Sequence, residues 1–210
     1  MVIKRQGMMF VLSSPSGVGK TTLTKKIAKN NTNFTISISH TTREPRPDEI
    51  NGKDYYFINN EEFNSLIKGN NFFEYAKIFD NYYGTLKEPV LKFLSFGKDV
   101  LFDIDWQGTQ QLQKIKDLSL VTFFVLPPNI QVLKNRLSNR HKGQEKLIEQ
   151  RMKKFNEELS HWNEYDYVVV NDDLEVCYNK ILNIIMSEIK GVSQTQNSDE
   201  IAKKVEELIK

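Results

Sequence analysis

The run Ser14-Pro15-Ser16-Gly17-Val18-Gly19-Lys20-Thr21-Thr22 has the composition of a loop that holds phosphate. Its backbone N–H groups and the positive end of a following helix suit a polyphosphate. Gly17 and Gly19 let the chain curl round the phosphates with no side chain in the way. Lys20 is placed to reach the β- and γ-phosphates of a nucleoside triphosphate, and the Thr21 hydroxyl to bind Mg²⁺. Ser14 stands where the usual pattern has its first glycine. Serine is small and keeps its N–H, so the loop is still expected, given a backbone there that tolerates a Cβ. A Gly/Ser-rich turn without a ligand is the plain alternative, and the strand-like run before it and helical pattern after it weigh against that.

Two carboxylates, Asp103 and Asp105, sit in an apolar run, Leu101-Phe102-Asp103-Ile104-Asp105. Ionised groups there need compensation, by Mg²⁺ or a ligand amine at a strand end beside the loop. Their spacing of two predicts a shared strand face. Arg136 and Arg140 are four apart and can share a helical face; with Arg151 they could neutralise charge in a phosphoryl transfer, or form a solvated basic surface. Arg43 and Arg46 lie in a proline-punctuated loop suited to a second anion. Tyr55, Glu74 and Tyr83 are polar groups on aromatic-rich strands, where packing alone is a common role for tyrosine.

The elements that must position these groups alternate. Apolar runs at 8–12, 100–104, 120–125 and 167–170 read as buried parallel strands. Helical patterns fall at 85–97, with a Thr85–Glu88 capping box and Gly97 as stop, at 130–137 and at 174–189. This predicts an α/β fold: a parallel sheet flanked by helices. Between Phe34 and Tyr83 the texture changes, with Ile36 and Ile38 alternating with serines, a hairpin signal at Asn51-Gly52, strands at 55–58 and 72–75, and a helix at 61–68. It reads as an inserted mixed-β subdomain. The segment 138–158 reads as a charged helical insertion, and Asn197 caps a last amphipathic helix that packs on the core, packs on another subunit, or frays.

A chain of 210 residues with 39% hydrophobic and 11% aromatic content can bury a good core. With Lys+Arg 29 against Asp+Glu 27, net charge argues neither for nor against a nucleic-acid partner. The single cysteine, Cys177, leaves no intrachain disulfide and no cysteine-based metal site. Lys4-Arg5 precedes only a short apolar run, so no signal peptide is expected, and no segment has the length of a membrane span. The expectation is a cytoplasmic protein without a membrane or nucleic-acid partner, as a monomer or homodimer. His40, His141 and His161 are scattered and read as structural or surface residues.

The strings SSPSGVGKTTL, SHTTREPRPDEINGKDYYF, FFEYAKIFDNYYGT, DVLFDIDWQG and DYVVVNDD, in order over about 11–173, closely resemble guanylate kinases, the enzymes that phosphorylate GMP with ATP. The resemblance implies a P-loop nucleoside monophosphate kinase fold with an inserted mixed-β GMP-binding subdomain and a helical lid. Core residues would be 1–38, 86–137 and 159–190, the GMP-binding insertion 39–85, the lid 138–158, and a polar linker with the C-terminal helix 191–210. It implies that Ser39 contacts the guanine edge and that Arg43, Arg46, Tyr55 and Tyr83 hold the GMP phosphate. Glu74, Thr85 and Asp103 would complete the guanine pocket, Asp103 near the metal as well. The loop Ser14–Thr22 and Asn171, near adenine, would bind ATP, and Lys20, Arg136, Arg140 and Arg151 would serve the transfer. Mg²⁺ is the implied cofactor, with Thr21 and Asp103 as ligands. GMP and dGMP are the implied acceptors, in purine nucleotide metabolism. The segment past Gly191 lies outside the resemblance.

The chemistry of the base supports that reading. Guanine offers N1–H and N2–H donors side by side, and one carboxylate such as Glu74 can accept from both; adenine presents a lone pair instead. A phosphate oxygen of GMP is already an anion, so attack on the γ-phosphorus needs no protein base. Three rivals remain: a non-catalytic peptide-binding relative, another P-loop ATPase or GTPase, and a kinase for a different monophosphate. The first would have lost Lys20, Thr21, Asp103 and the arginines; the second would not need the SHTTREPRP and NYYGT strings; Glu74 argues against AMP.

Overall fold

The computed structural model describes residues 5–140 and 143–209. Lys4 and His141 lie outside the described residues. In chain order the elements are β1 (Met9–Ser13), α1 (Lys20–Asn30), β2 (Phe34–Ile36), β3 (His40–Thr41), β4 (Tyr56–Phe57), α2 (Asn60–Lys68), β5 (Phe72–Ile78), β6 (Asn81–Leu86) and α3 (Lys87–Ser95). Then follow β7 (Asp99–Asp103), α4 (Trp106–Gln113), β8 (Leu120–Leu126), α5 (Ile130–Arg140), α6 (Glu145–Leu159), β9 (Tyr167–Val170), α7 (Leu174–Ile189) and α8 (Ser198–Ile209).

Among the described residues the main sheet has five strands in the order β2-β7-β1-β8-β9, all paired parallel. β1 is apolar at every position but its last because both its faces are covered. Phe10 and Leu12 enter one core with α1, α5, α6 and α7, while Met9 and Val11 enter a second under α3 and α4. Asp99, buried at the start of β7, is held by the Arg5 guanidinium, the Met8 N–H and the Asn33 amide, so a carboxylate is tolerated there. Loops after β1, β7 and β9 open at one end of the sheet, where ligands bind in open parallel sheets.

A second sheet has the order β4-β3-β6-β5 and is mixed. Asn51-Gly52 does not close an antiparallel hairpin as its sequence predicts: β3 and β4 pair parallel, with the long loop between them crossing over. β2 belongs to the main sheet, paired with β7, although the change in texture begins at Phe34. The Thr85–Glu88 capping box is also absent. Thr85 pairs with Glu74 in the sheet, and α3 starts after Leu86 without a side-chain cap. A bulge lies between Phe72 and Glu74. It turns Phe73 into the core under α3 and α4 and leaves Glu74 buried beside the cleft. The C-terminal helix packs on the core through Val205 and Leu208.

Candidate active site

The loop between β1 and α1 curls where its glycines stand. Gly17 has φ 89° and Gly19 φ 109°, and α1 begins after Gly19 with no side-chain cap on its first N–H groups. Those donors face the cleft as the positive end of the helix. Ser14 is not among the residues with positive φ, and its hydroxyl donates to the Pro15 carbonyl at 2.9 Å. Serine therefore replaces glycine there without backbone strain. Lys20 lies 3.2 Å from Asp103 and donates to the Ile104 carbonyl. The expected pairing of Asp103 with Asp105 on one strand face does not occur, because β7 ends at Asp103. Asp105 instead caps α4, accepting from the Gly108 N–H at 3.0 Å.

Across the cleft, Arg43 and Arg46 share one carboxylate, Glu49. Arg43 makes a two-pronged contact at 2.8 Å, and the Arg46 N–H donates at 2.9 Å. The Arg43 guanidinium also lies over the Tyr55 ring, which meets Tyr83 edge-on. Burial pushes Tyr55 up to about 12, so it remains a hydrogen-bond donor. For Arg43, burial lowers the pKa, but Glu49 and Tyr83 outweigh it and raise it.

Glu74 is 3% exposed and its Oε1 has no hydrogen-bond partner among the described residues. Burial pushes its carboxyl up to about 7; Thr85 offsets part of this and Asp105 adds to it. Gly108 is glycine for a steric reason: a Cβ there would come within 2.4 Å of Glu74 Oε2. Behind Glu74, the Ser39 and Thr85 hydroxyls lie 3.4 Å apart.

Arg140 and Arg151 enter the cleft from α5 and α6. Burial lowers both, and the positive charges around them lower them further. Such a concentration of cations is destabilising unless a polyanion meets it. Arg151 donates to the Ser16 hydroxyl, and its Nε is buried without a partner among the described residues. Arg136 lines the cleft and is also tied to backbone. Its guanidinium donates to the backbone carbonyls of Val18, Asn171 and Asp172. The Asn171 amide donates to the Val18 carbonyl at 2.8 Å, and its Oδ1 is buried without a partner among the described residues.

One cleft of about 610 Å³ collects these groups: Ser14–Thr22, Ser39, Arg43, Arg46, Tyr55, Glu74, Tyr83, Asp103, Arg136, Arg140, Arg151 and Asn171. Thr85 stands behind its wall. His40 stacks on Tyr56, and burial lowers its pKa; His161 stacks on Trp106. Neither lines the cleft. Cys177 is buried, and burial pushes its thiol up to about 11.

Three cleft-side residues gave no signal in the sequence. Glu49 and Glu158 resemble any surface glutamate until the fold brings Arg43 and Ser16 to them. Phe79, at φ 54°, lies under both Arg151 and Lys154 of α6, joining the second sheet to that helix.

Residues 6–188 match the sequence model of the family described as guanylate kinase. The chain is 46% identical over 186 residues to a protein of Rhodopseudomonas palustris (strain BisB5) named guanylate kinase, covering 89% of this chain and 85% of that one. It is 50% identical over 188 residues to one of the same name from Rickettsia felis, covering 90% and 97%. A crystal structure of guanylate kinase from Anaplasma phagocytophilum matches with a TM-score of 0.74 at 35% identity, over 88% of this chain and 87% of that one.

Proposed function

The chain belongs to the guanylate kinase family, and from that membership we propose that its cleft transfers the γ-phosphoryl group of ATP to GMP or dGMP, leaving ADP and the diphosphate. The observation that carries the reading is Glu74: a buried carboxylate with an oxygen lacking any partner among the described residues, in the cleft that also holds the phosphate loop and Arg43. Guanine N1–H and N2–H satisfy that carboxylate. Adenine turns a lone pair toward it and is rejected by about 10⁴-fold, the usual penalty when a buried polar group is left unpaired.

Ser39 and Thr85 complete the guanine side, with Asp103 between it and the loop. Arg43, Arg46, Tyr55 and Tyr83 take the GMP phosphate. The loop Ser14–Thr22 holds the triphosphate, with Asn171 toward adenine. Lys20, Arg140 and Arg151 neutralise the charge that spreads over the transferred group, while Arg136 braces the loop through Val18 and Asn171. The attacking oxygen is already ionic, so positioning and charge supply the catalysis.

Magnesium fits the donors present. Among the described residues no three His, Cys, Asp or Glu converge, but Mg²⁺ carried by phosphate oxygens and water needs few protein ligands. The Thr21 hydroxyl and the Asp103 carboxylate are hard oxygen donors beside the loop, and Mg²⁺ bound there would screen the β- and γ-phosphate charge. In this reading 39–85 and 138–158 close on a core of 1–38, 86–137 and 159–190 to exclude water. Small-angle scattering should then show compaction with both nucleotides bound. The setting proposed is cytoplasmic, with the protein acting as a monomer or homodimer; among the described residues no helix is long and apolar enough to cross a membrane.

The test is ADP release from ATP and magnesium with GMP, dGMP, AMP, CMP or UMP. Release with the two guanine monophosphates and none of the others is expected; no release with GMP overturns the proposal.

A further inference from the structure

Helix α6 holds one residue of the phosphate loop in two ways. Arg151 and Glu158 are about two helical turns apart and so share a face. Arg151 donates to the Ser16 hydroxyl, and Glu158 Oε2 accepts from the Ser16 N–H at 3.1 Å. That N–H belongs to the set of loop amides suited to phosphate. It carries one hydrogen and cannot serve a carboxylate and a phosphate oxygen at full strength. The carboxylate would also repel the incoming anion at contact range. Glu158 faces Lys20 from α1, Asp105 from the start of α4 and Lys154 from its own helix. Burial raises its pKa, so it is held there against its preference for water.

We infer that Glu158 is a positioning residue that competes with the ATP polyphosphate for the Ser16 N–H, so that ATP binding displaces the Glu158 carboxylate from the loop while Arg151 turns from Ser16 to meet the phosphates. The inference rests on the reading that this cleft takes ATP. It ties the closing helix to nucleotide arrival through a single amide.

Titration calorimetry of ATP with magnesium, and separately of GMP, into wild type, Glu158→Gln and Glu158→Ala tests it. Glutamine keeps the shape and removes the charge; alanine removes the acceptor. Both variants should bind ATP about five- to tenfold tighter, the net worth of about one hydrogen bond withdrawn from competition. GMP binding should stay within about twofold of wild type, since Glu158 touches only the loop side. In turnover, Glu158→Gln should lower the KM for ATP and leave that for GMP in place, a split that a merely structural role does not produce. Unchanged or weaker ATP binding by Glu158→Gln, with GMP bound normally, overturns the inference. A wild-type protein that binds no ATP overturns the underlying reading instead.

Discussion

The Lys20 ammonium lies 3.2 Å from the Asp103 carboxylate, joining the phosphate loop to the end of β7, the neighbour of the central strand β1. One residue opens α1 and the other closes a strand paired with β1, so their distance is set by sheet register rather than by flexible loops. Lys20→Ala should lower kcat by about 10²- to 10³-fold, the usual effect of losing one preorganised charge donor, while calorimetry finds GMP affinity within about threefold of wild type. Normal turnover would refute the assigned role.

If Glu74 reads guanine as proposed, acceptor binding depends on pH. Its carboxyl, pushed up to about 7 by burial, must be ionised to accept from guanine. As pH falls through 7 the fraction ready to bind falls, so the KM for GMP should rise by about tenfold per unit below that point. The GMP phosphate itself titrates near pH 6, by roughly one proton. Glu74→Gln reports that part alone, and the steeper wild-type slope is the signature of Glu74.

The same residue predicts a stability trade. Its folded pKa lies above the ordinary 4.5, so its favourable contribution is fully present below 4.5 and is lost as pH rises through about 7. At pH 8 the native protein keeps a buried charge. Glu74→Gln should then be more stable by on the order of 1–3 kcal/mol, a difference that closes near pH 4.5. Denaturant melts at the two pH values check it; a variant less stable at pH 8 contradicts it.

The sheet and the phosphate loop were legible because each rests on local pattern: apolar runs such as Val168–Val170 and glycines whose φ only glycine prefers. What could not be read depends on contacts distant in sequence. Thr85 and Glu88 satisfy a capping pattern, but pairing of Thr85 with Glu74 outcompetes it. Asn51-Gly52 favours a tight turn, but β3 is covered on its other side by β6 and takes β4 in parallel. Arg136 is identical in kind to Arg140, and only the fold brings the Val18 and Asn171 carbonyls to it.

Glu49 pairs with both Arg43 and Arg46, the arginines proposed to take the GMP phosphate. If its work is positioning, Glu49→Ala lets Arg43 and Arg46 wander and raises the KM for GMP by about tenfold or more, with ATP affinity unchanged. Glu49→Gln keeps one acceptor oxygen and should fall between. A carboxylate that only competed with the GMP phosphate would give the opposite sign, so a lowered KM rejects the positioning role.

The segment past Gly191 lies beyond the family match at 6–188, yet it is tied to the core. The Gln196 side chain imitates a neighbouring strand on the free edge of β9, accepting from the Val168 N–H at 2.7 Å and donating to the Val168 carbonyl at 3.1 Å. The Gln194 N–H donates to the Tyr167 hydroxyl at 3.0 Å. Helix α8 then buries Val205 and Leu208, and Leu208 borders a groove shared with Ile130 of α5 and Ile148 of α6. Two buried aliphatic side chains contribute about 3–6 kcal/mol, offset in part by the entropy of ordering the helix. Ending the chain at Gly191 should therefore lower Tm by roughly 5–12 °C. Gln196→Ala should take about 1 kcal/mol of that, for the pair of backbone groups it leaves to water. A truncated protein that melts with the full chain would mean that α8 adds nothing to the fold.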